Sequence, residues 1–184
     1  MSDAKRALRA TMRAARTGFA ASRPPHAVPL EFLRLLATRS LVASYVPLRG
    51  EADPALLAAA CADHSLGLCL PVVADRALPM RFLRWTPGDP LIEGPFGLHQ
   101  PMADAPPATP DIVLVPLLAF DGRGNRLGQG AGHYDRALAQ LPEALRIGIA
   151  WSVQQVHDLP VDRWDVPLHG IVTENGWISP ENEQ

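Results

Sequence analysis

Five glycines fall within eleven residues, at positions 122, 124, 128, 130 and 132, and a carboxylate, Asp135, follows closely after the last. Glycine reaches backbone conformations closed to other residues, so a loop this rich in it can turn several N–H groups onto one anion. The apolar run 112–119 precedes the loop, and the short amphipathic segment 133–141 follows it. Strand, glycine-rich loop and helix is an arrangement that cradles phosphate, and a nearby carboxylate can hold the Mg²⁺ that phosphates carry. The reading is a nucleotide site centred on residues 111–141. It is not a Walker A sequence, because GRGNRLGQGAGH has no GK[ST] ending. Gly128-Gln-Gly130-Ala-Gly132 meets only the first half of GxGxxG.

Other chemistry-bearing residues are few. Lys5 is the only lysine beside sixteen arginines, and it shares a helical stripe with Arg9, Arg13 and Arg16, next to Arg6. Such a stripe is ordinarily a solvated face. A single lysine in an arginine-biased chain also marks a place where a compact ammonium suits better than a planar fork. Glu51 falls in a turn between strand end and helix start, the edge of open α/β sheets at which ligands bind. The six histidines form no HExxH or paired metal spacing, and no GxSxG elbow is present. His133 lies in the glycine-rich loop, where it can face a phosphate or solvent. His26, His64 and His169 read as surface or capping residues.

These residues need elements to hold them. Ala4, Leu8, Met12, Ala15 and Phe19 recur at three- and four-residue steps, which predicts a helix over 2–20 with that apolar stripe inward, capped by Ser2 or Asp3. SRPPHAVP, at 22–29, breaks the chain before a short helix over 30–38. Residues 41–46 predict a buried strand, and Asp53-Pro54 starts a helix running to about 63. Strands are expected at 67–73 and 80–85, at 145–151 and at 170–173, with a polar connection at 153–159 and a tail after the last strand. Between 86 and 110 lie seven prolines without periodicity, a long loop in which 92–102 (IEGPFGLHQPM) has apolar residues to anchor it. Strands alternating with helices predict an α/β fold with a mostly parallel sheet. One domain over 1–184 is expected, with N-terminal helices at 2–38 and an α/β body at 41–178.

Composition narrows the class. A chain of 184 residues, 47% hydrophobic and 20% charged, is an ordinary globular one, and nineteen prolines foretell many stiff loops. A formal charge of −2 argues against nucleic acid as a partner. The start, MSDAKRALRA, lacks an apolar h-region, and no apolar run approaches the ~18 residues that span a bilayer. Cys61 and Cys69 fit neither a disulfide framework nor a zinc site. A cytoplasmic, reduced, monomeric protein without a membrane partner is the expectation.

The run DIVLVPLLAFDGRGNRLGQGAGHYDRAL resembles the signature of the 5-formyltetrahydrofolate cyclo-ligases, which show D-x-(V/I)-(V/I)-P-G-x-A-F-D and then G-x-R-L-G-x-G-x-G-(Y/H)-Y-D-R. The likeness extends through K-x-x-x-R at Lys5 and Arg9, E-(V/A)-D at Glu51 to Asp53, Gly97 to Pro101, IGIAW-x-x-Q ending at Gln154, and Asp165 to Glu174. It implies a three-layer α/β/α sandwich with a mostly parallel central sheet, similar to the sugar-phosphate isomerase/CoA-transferase-like fold. It also implies a reaction: 5-formyltetrahydrofolate and ATP give 5,10-methenyltetrahydrofolate, ADP and phosphate, with Mg²⁺ required. Carried over by position, Lys5 and Arg9 contact ATP phosphates. Arg126, Leu127, Gly128, Gln129, Gly130, Ala131, Gly132, His133 and Tyr134 wrap the triphosphate. Asp135 and Asp165 hold Mg²⁺. Glu51 contacts the pterin in a pocket lined by Val46 and Phe96, with Met80 as a further neighbour. Leu117, Gln129, Ala131, His133 and Leu68 depart from the family's usual residues. A non-catalytic folate- or nucleotide-binding relative is the rival expectation.

Overall fold

Runs such as 112–116 and 41–43 have no polar face, and a strand of that kind is stable only when covered on both sides. The computed structural model, which describes residues 3–19, 26–75 and 78–181, covers them on both sides. In chain order the elements are α1 (Asp3–Phe19), α2 (Leu30–Leu36), β1 (Leu41–Ala43), α3 (Ala55–Asp63), β2 (Gly67–Val72), β3 (Arg81–Arg84), β4 (Leu91–Glu93) and β5 (His99–Pro101). There follow β6 (Ile112–Pro116), β7 (Ala119–Phe120), β8 (Arg126–Leu127), α4 (His133–Leu138), β9 (Leu145–Ile149), β10 (Gly170–Thr173) and β11 (Gly176–Ile178).

The main sheet has seven strands in the order β11-β10-β9-β6-β1-β2-β3. Its inner pairs, β10–β9, β9–β6, β6–β1 and β1–β2, are parallel, and both outer strands are antiparallel. Side chains alternate between two cores. Val42, Ile112, Leu114, Ile147, Ile149 and Val172 pack with Phe32 and Leu36 of α2 and Leu57 and Cys61 of α3. Leu41, Ala43, Cys69, Val113, Val115 and Ile171 pack on the other face with Ala137 and Leu138 of α4. The mostly parallel α/β sheet with helices on both faces is therefore as expected. Asp111 ties two central strands together, its Oδ2 accepting N–H bonds from Ser40 (2.8 Å) and Leu41 (2.9 Å).

Several boundaries differ from the expectation. The strand predicted over 41–46 ends at Ala43, because the chain turns off the sheet and Tyr45 donates its hydroxyl to Ala52 O at 2.6 Å. Residues 86–110 hold a hairpin, β4 with β5, joined by a 3-10 turn over Pro95–Gly97. Gln100 fastens it to the body, its Oε1 accepting from Val73 N at 3.1 Å. The expected tail contains β11, which closes the sheet edge. His26 is buried, not superficial: its Nε2 lies 2.9 Å from Ala150 O and its ring rests on Trp151. Ser2 and residues 22–25 of the predicted break lie outside the described residues.

The largest correction concerns α1. Its buried residues are Lys5, Arg9, Met12 and Arg16, while Ala4 is exposed and Leu8, Ala15 and Phe19 are half-buried. The inward stripe is thus mainly the basic one. Long cationic side chains bury their stems when their heads find partners, and here those partners lie on other segments: Asp162 and Asp165 for Lys5, Gly128 for Arg9 and Glu51 for Arg16.

Candidate functional site

Lys5 Nζ donates to Asp162 Oδ2 (2.7 Å) and Asp165 Oδ2 (2.5 Å). One turn on, Arg9 Nε donates to Gly128 O at 2.8 Å. A further turn on, exposed Arg13 holds Gln129 through Oε1, at 3.2 Å from Nε and 3.1 Å from NH2. Three successive turns of α1 therefore grip the glycine-rich loop and the 162–165 turn. Asp162 N donates back to Asp165 Oδ2 at 2.8 Å, which fixes that turn from within.

The loop is braced from the other side. β7 and β8 pair as a short hairpin, and at its tip the buried Asp121 carboxylate accepts from Arg123 N, Asn125 N, Asn125 Nδ2 and Leu159 N. Gln154 donates to Leu117 O at 2.7 Å, and its Oε1 accepts from Trp151 N at 2.8 Å. That explains the glutamine of the IGIAW-x-x-Q run: it locks the strand end that leads into the loop. Leu117 fills the space above Gly148, where a Cβ would lie only 2.9 Å from its side chain. Gly130 (φ +105°) and Gly132 (φ +67°) take left-handed conformations, which let the chain fold back before α4. α4 has only six residues, so any anion affinity rests on the loop N–H groups and the cations of α1 more than on a helix dipole.

The loop residues 126–135 and the 162–165 turn border one cavity of about 590 Å³. Lys5, Arg9, residues 126–135, Asp162 and Asp165 line its polar end; Tyr45, Val46, Pro71, Val73, Met80 and Phe96 supply apolar wall, and Glu51 reaches into it. Every residue singled out in the sequence as a site candidate thus lies on the same cavity. Asp162, Trp164, Tyr45 and Leu48 line it too and were missed. The D-x-x-D spacing of Asp162 and Asp165 was the one local signal for the first of these. Phe96, exposed at the cavity rim, adopts φ +64°, and its ring centroid is 6.0 Å from that of His133. His133 itself borders the cavity, its Nδ1 3.2 Å from Arg136 NH2.

The charges are set by burial and by neighbours. Burial alone would depress the Lys5 ammonium, but hydrogen bonds to Asp162 and Asp165 outweigh it and hold its pKa above the ordinary value. Burial, and then the charge of Arg13, lowers Arg9. Arg126 is also lowered by burial, partly offset by Asp135, to which it donates two bonds at 2.9 and 2.8 Å. Both guanidinium groups remain cations at any working pH. Burial, and then the Glu51 charge, pushes the Tyr134 phenol up, so it stays a neutral donor.

Donor chemistry decides whether Mg²⁺ suits the site. Among the described residues no three His, Cys, Asp or Glu side chains gather into a ready metal cage. Carboxylate oxygens do face the cavity, from Asp135, Asp162 and Asp165. Mg²⁺ prefers such hard donors, keeps several waters, and is usually held by one or two carboxylates plus substrate phosphates. The residues fit Mg²⁺ arriving with a phosphate chain.

Fold and cavity together describe an α/β protein in which a cation-lined, glycine-rich loop faces an apolar wall across one cavity. The chain belongs to the 5-formyltetrahydrofolate cyclo-ligase family, whose model matches residues 1–174. It is 42% identical over 97 residues to the 5-formyltetrahydrofolate cyclo-ligase of Haemophilus influenzae, covering 50% of this chain and 52% of that one. With the Escherichia coli K12 enzyme of the same name it shares 39% over 98 residues, covering 50% and 54%. The match thus spans about half the length of these two relatives. The NMR structure of Aquifex aeolicus 5,10-methenyltetrahydrofolate synthetase superposes with a TM-score of 0.73 at 27% identity, over 98% of this chain and 94% of that one.

Proposed function

We propose that the protein cyclises 5-formyltetrahydrofolate to 5,10-methenyltetrahydrofolate, converting ATP to ADP and phosphate. The observation that carries this reading is the single cavity of about 590 Å³ joining a cation-lined glycine loop to an apolar chamber, in a chain of this family. The two ends suit two co-substrates, and the names borne by the relatives supply the chemistry between them.

A formamide oxygen is a poor leaving group. Transfer of the γ-phosphoryl group to it breaks the bond between the terminal phosphorus and the ADP oxygen. A phosphorylated imidate cation forms. N10 then attacks the former formyl carbon, the carbon–oxygen bond breaks with its electron pair leaving on phosphate, and N10 gives up its proton. The product is the amidinium bridge between N5 and N10. Phosphoryl transfer asks mainly for positioning and charge neutralisation, and no covalent nucleophile is required of the protein.

In this reading the Lys5 ammonium and the Arg9 guanidinium sit against the triphosphate, and the N–H groups of 128–132 turn onto its oxygens. Lys5 stays charged through the neutral range because Asp162 and Asp165 hold its proton. Arg126 orients Asp135. Asp135 and Asp165 would hold Mg²⁺, which when bound neutralises charge on the phosphate oxygens. Glu51 accepts from the donor edge of the pterin, and Val46, Met80 and Phe96 flank the ring. Chamber walls that exclude water favour capture of the activated carbon by N10 over hydrolysis. A reducing, cytoplasmic setting agrees with two buried free thiols placed in different cores, whose burial pushes each up to about 12.

The test is turnover. Adding 5-formyltetrahydrofolate should produce the methenyl-folate absorbance only when MgATP is present. Tight binding of the folate with no product at saturating MgATP would contradict the proposal and mark a non-catalytic relative.

A further inference from the structure

The fourth buried position of α1, Arg16, touches neither the glycine-rich loop nor any carboxylate of the 162–165 turn in the hydrogen bonds and ion pairs of the structure; its charge partner is Glu51. Both side chains are deeply buried, 8% exposed for Arg16 and 7% for Glu51. Two opposite charges at that depth persist only as each other's counterion, since either alone would be costly to desolvate. Glu51 faces the cavity, whereas Arg16 lies behind it and does not line the wall.

The turn that carries Glu51 is closed reciprocally. Glu51 N donates to Leu48 O at 2.9 Å, and Leu48 N donates to Glu51 Oε2 at 2.9 Å. One carboxylate oxygen is thereby fixed to its own turn. The other, Oε1, faces Arg16 NH1 at 3.5 Å, beyond ordinary hydrogen-bond length. Arg16 NH1 is buried and makes no hydrogen bond among the described residues. Gly50 adopts φ +88°, and a Cβ there would come 3.6 Å from Arg16 Nε, so the turn passes directly over the guanidinium. Trp151 Nε1 donates to Gly50 O at 3.2 Å and holds the turn down.

We infer that Arg16 is a positioning residue for Glu51: from behind the cavity wall it supplies the counter-charge that keeps the carboxylate aimed at the folate end. One helix face then serves both co-substrates, with Lys5 and Arg9 at the phosphate end and Arg16 backing the pterin contact. The inference rests on the folate reading of that end of the cavity. It adds a residue that touches no substrate and acts only through Glu51.

A double-mutant cycle tests it, using steady-state kinetics with each co-substrate varied in turn. Arg16→Gln should raise the KM for 5-formyltetrahydrofolate by about tenfold or more, as loss of one charge-assisted contact does, and leave the KM for ATP within twofold. Arg16→Lys, which keeps the charge but not the reach, should show a smaller rise and carries the same cycle if Arg16→Gln does not fold. In a Glu51→Gln background neither Arg16 change should raise the folate KM further. A single-variant folate KM within twofold of the parent, while Glu51→Gln raises it, would overturn the inference. So would an Arg16 effect undiminished in the Glu51→Gln background, which is what a purely structural role gives. If Glu51→Gln itself leaves the folate KM unchanged, the folate reading fails first, and this inference with it.

Discussion

At the residue scale the site is organised by charges that neutralise one another before any ligand arrives. Lys5 bridges Asp162 and Asp165, Arg126 grips Asp135, and Arg16 faces Glu51. Buried and partly buried carboxylates of this kind are tolerable because each has a cation, and a ligand carrying Mg²⁺ and phosphates can exchange partners with Asp135, Asp162 and Asp165 at little cost in net charge. Asp135→Asn keeps the side chain's shape and a hydrogen-bond acceptor for Arg126 but removes the negative charge. On the proposed reaction it should lower kcat by about a hundredfold or more, with the urea midpoint nearly unchanged; near-normal turnover would remove Asp135 from the metal's ligands. Much of this set was legible in the chain itself. A lone lysine among sixteen arginines singled out Lys5, and a glycine cluster followed by a carboxylate singled out 128–135. What the chain concealed was which face of α1 turns inward. Periodicity favours Leu8, Ala15 and Phe19, but the heads of Lys5 and Arg9 find partners more than a hundred residues away, and no local pattern encodes those.

At the element scale the glycine-rich loop owes its shape to its supports. The β7–β8 hairpin, the Asp121 carboxylate beneath its tip and the α1 side chains above hold it on two sides. Gly124 sits at that tip with φ +81°, and a Cβ there would lie 2.8 Å from Leu168 O. Gly124→Ala therefore faces both backbone strain and a steric conflict with main chain, and should cost about 1–3 kcal/mol, read as a lowered urea midpoint at unchanged m. A midpoint equal to the parent's would show that the tip relaxes freely and does not brace the loop. Long apolar strands and the three short helices, α2, α3 and α4, were legible from apolar patterning and helix-start residues. Two-residue β7 and β8, and the three-residue strands β4, β5 and β11, were not, because pairs so short are set by their tertiary partners and carry too few residues for a period to register. Gln100 and Val73 show the point: the bond from Val73 N to Gln100 Oε1 joins the β4–β5 hairpin to residues outside it.

At the scale of the whole molecule, a seven-stranded sheet with a core on each face supplies a rigid floor, and α1 lies across the rim as a lever of basic side chains. The cavity lies where the ends of the central strands, the glycine-rich loop and the 48–51 turn meet, as open α/β sheets ordinarily place their ligands. Assembly from segments 5–16, 45–51, 126–135 and 162–165 means that the site exists only once the sheet is formed. Sequence alone reached that assembly through a family likeness, not through any contact it could display. In the proposed reaction ATP activates the formyl oxygen itself. The most direct measurement follows that oxygen: 5-formyltetrahydrofolate carrying ¹⁸O in the formyl group is turned over with MgATP, and the released phosphate is weighed by mass spectrometry. One ¹⁸O atom is expected in each inorganic phosphate formed with the methenyl product. Product formed with unlabelled phosphate would rule out activation at that oxygen.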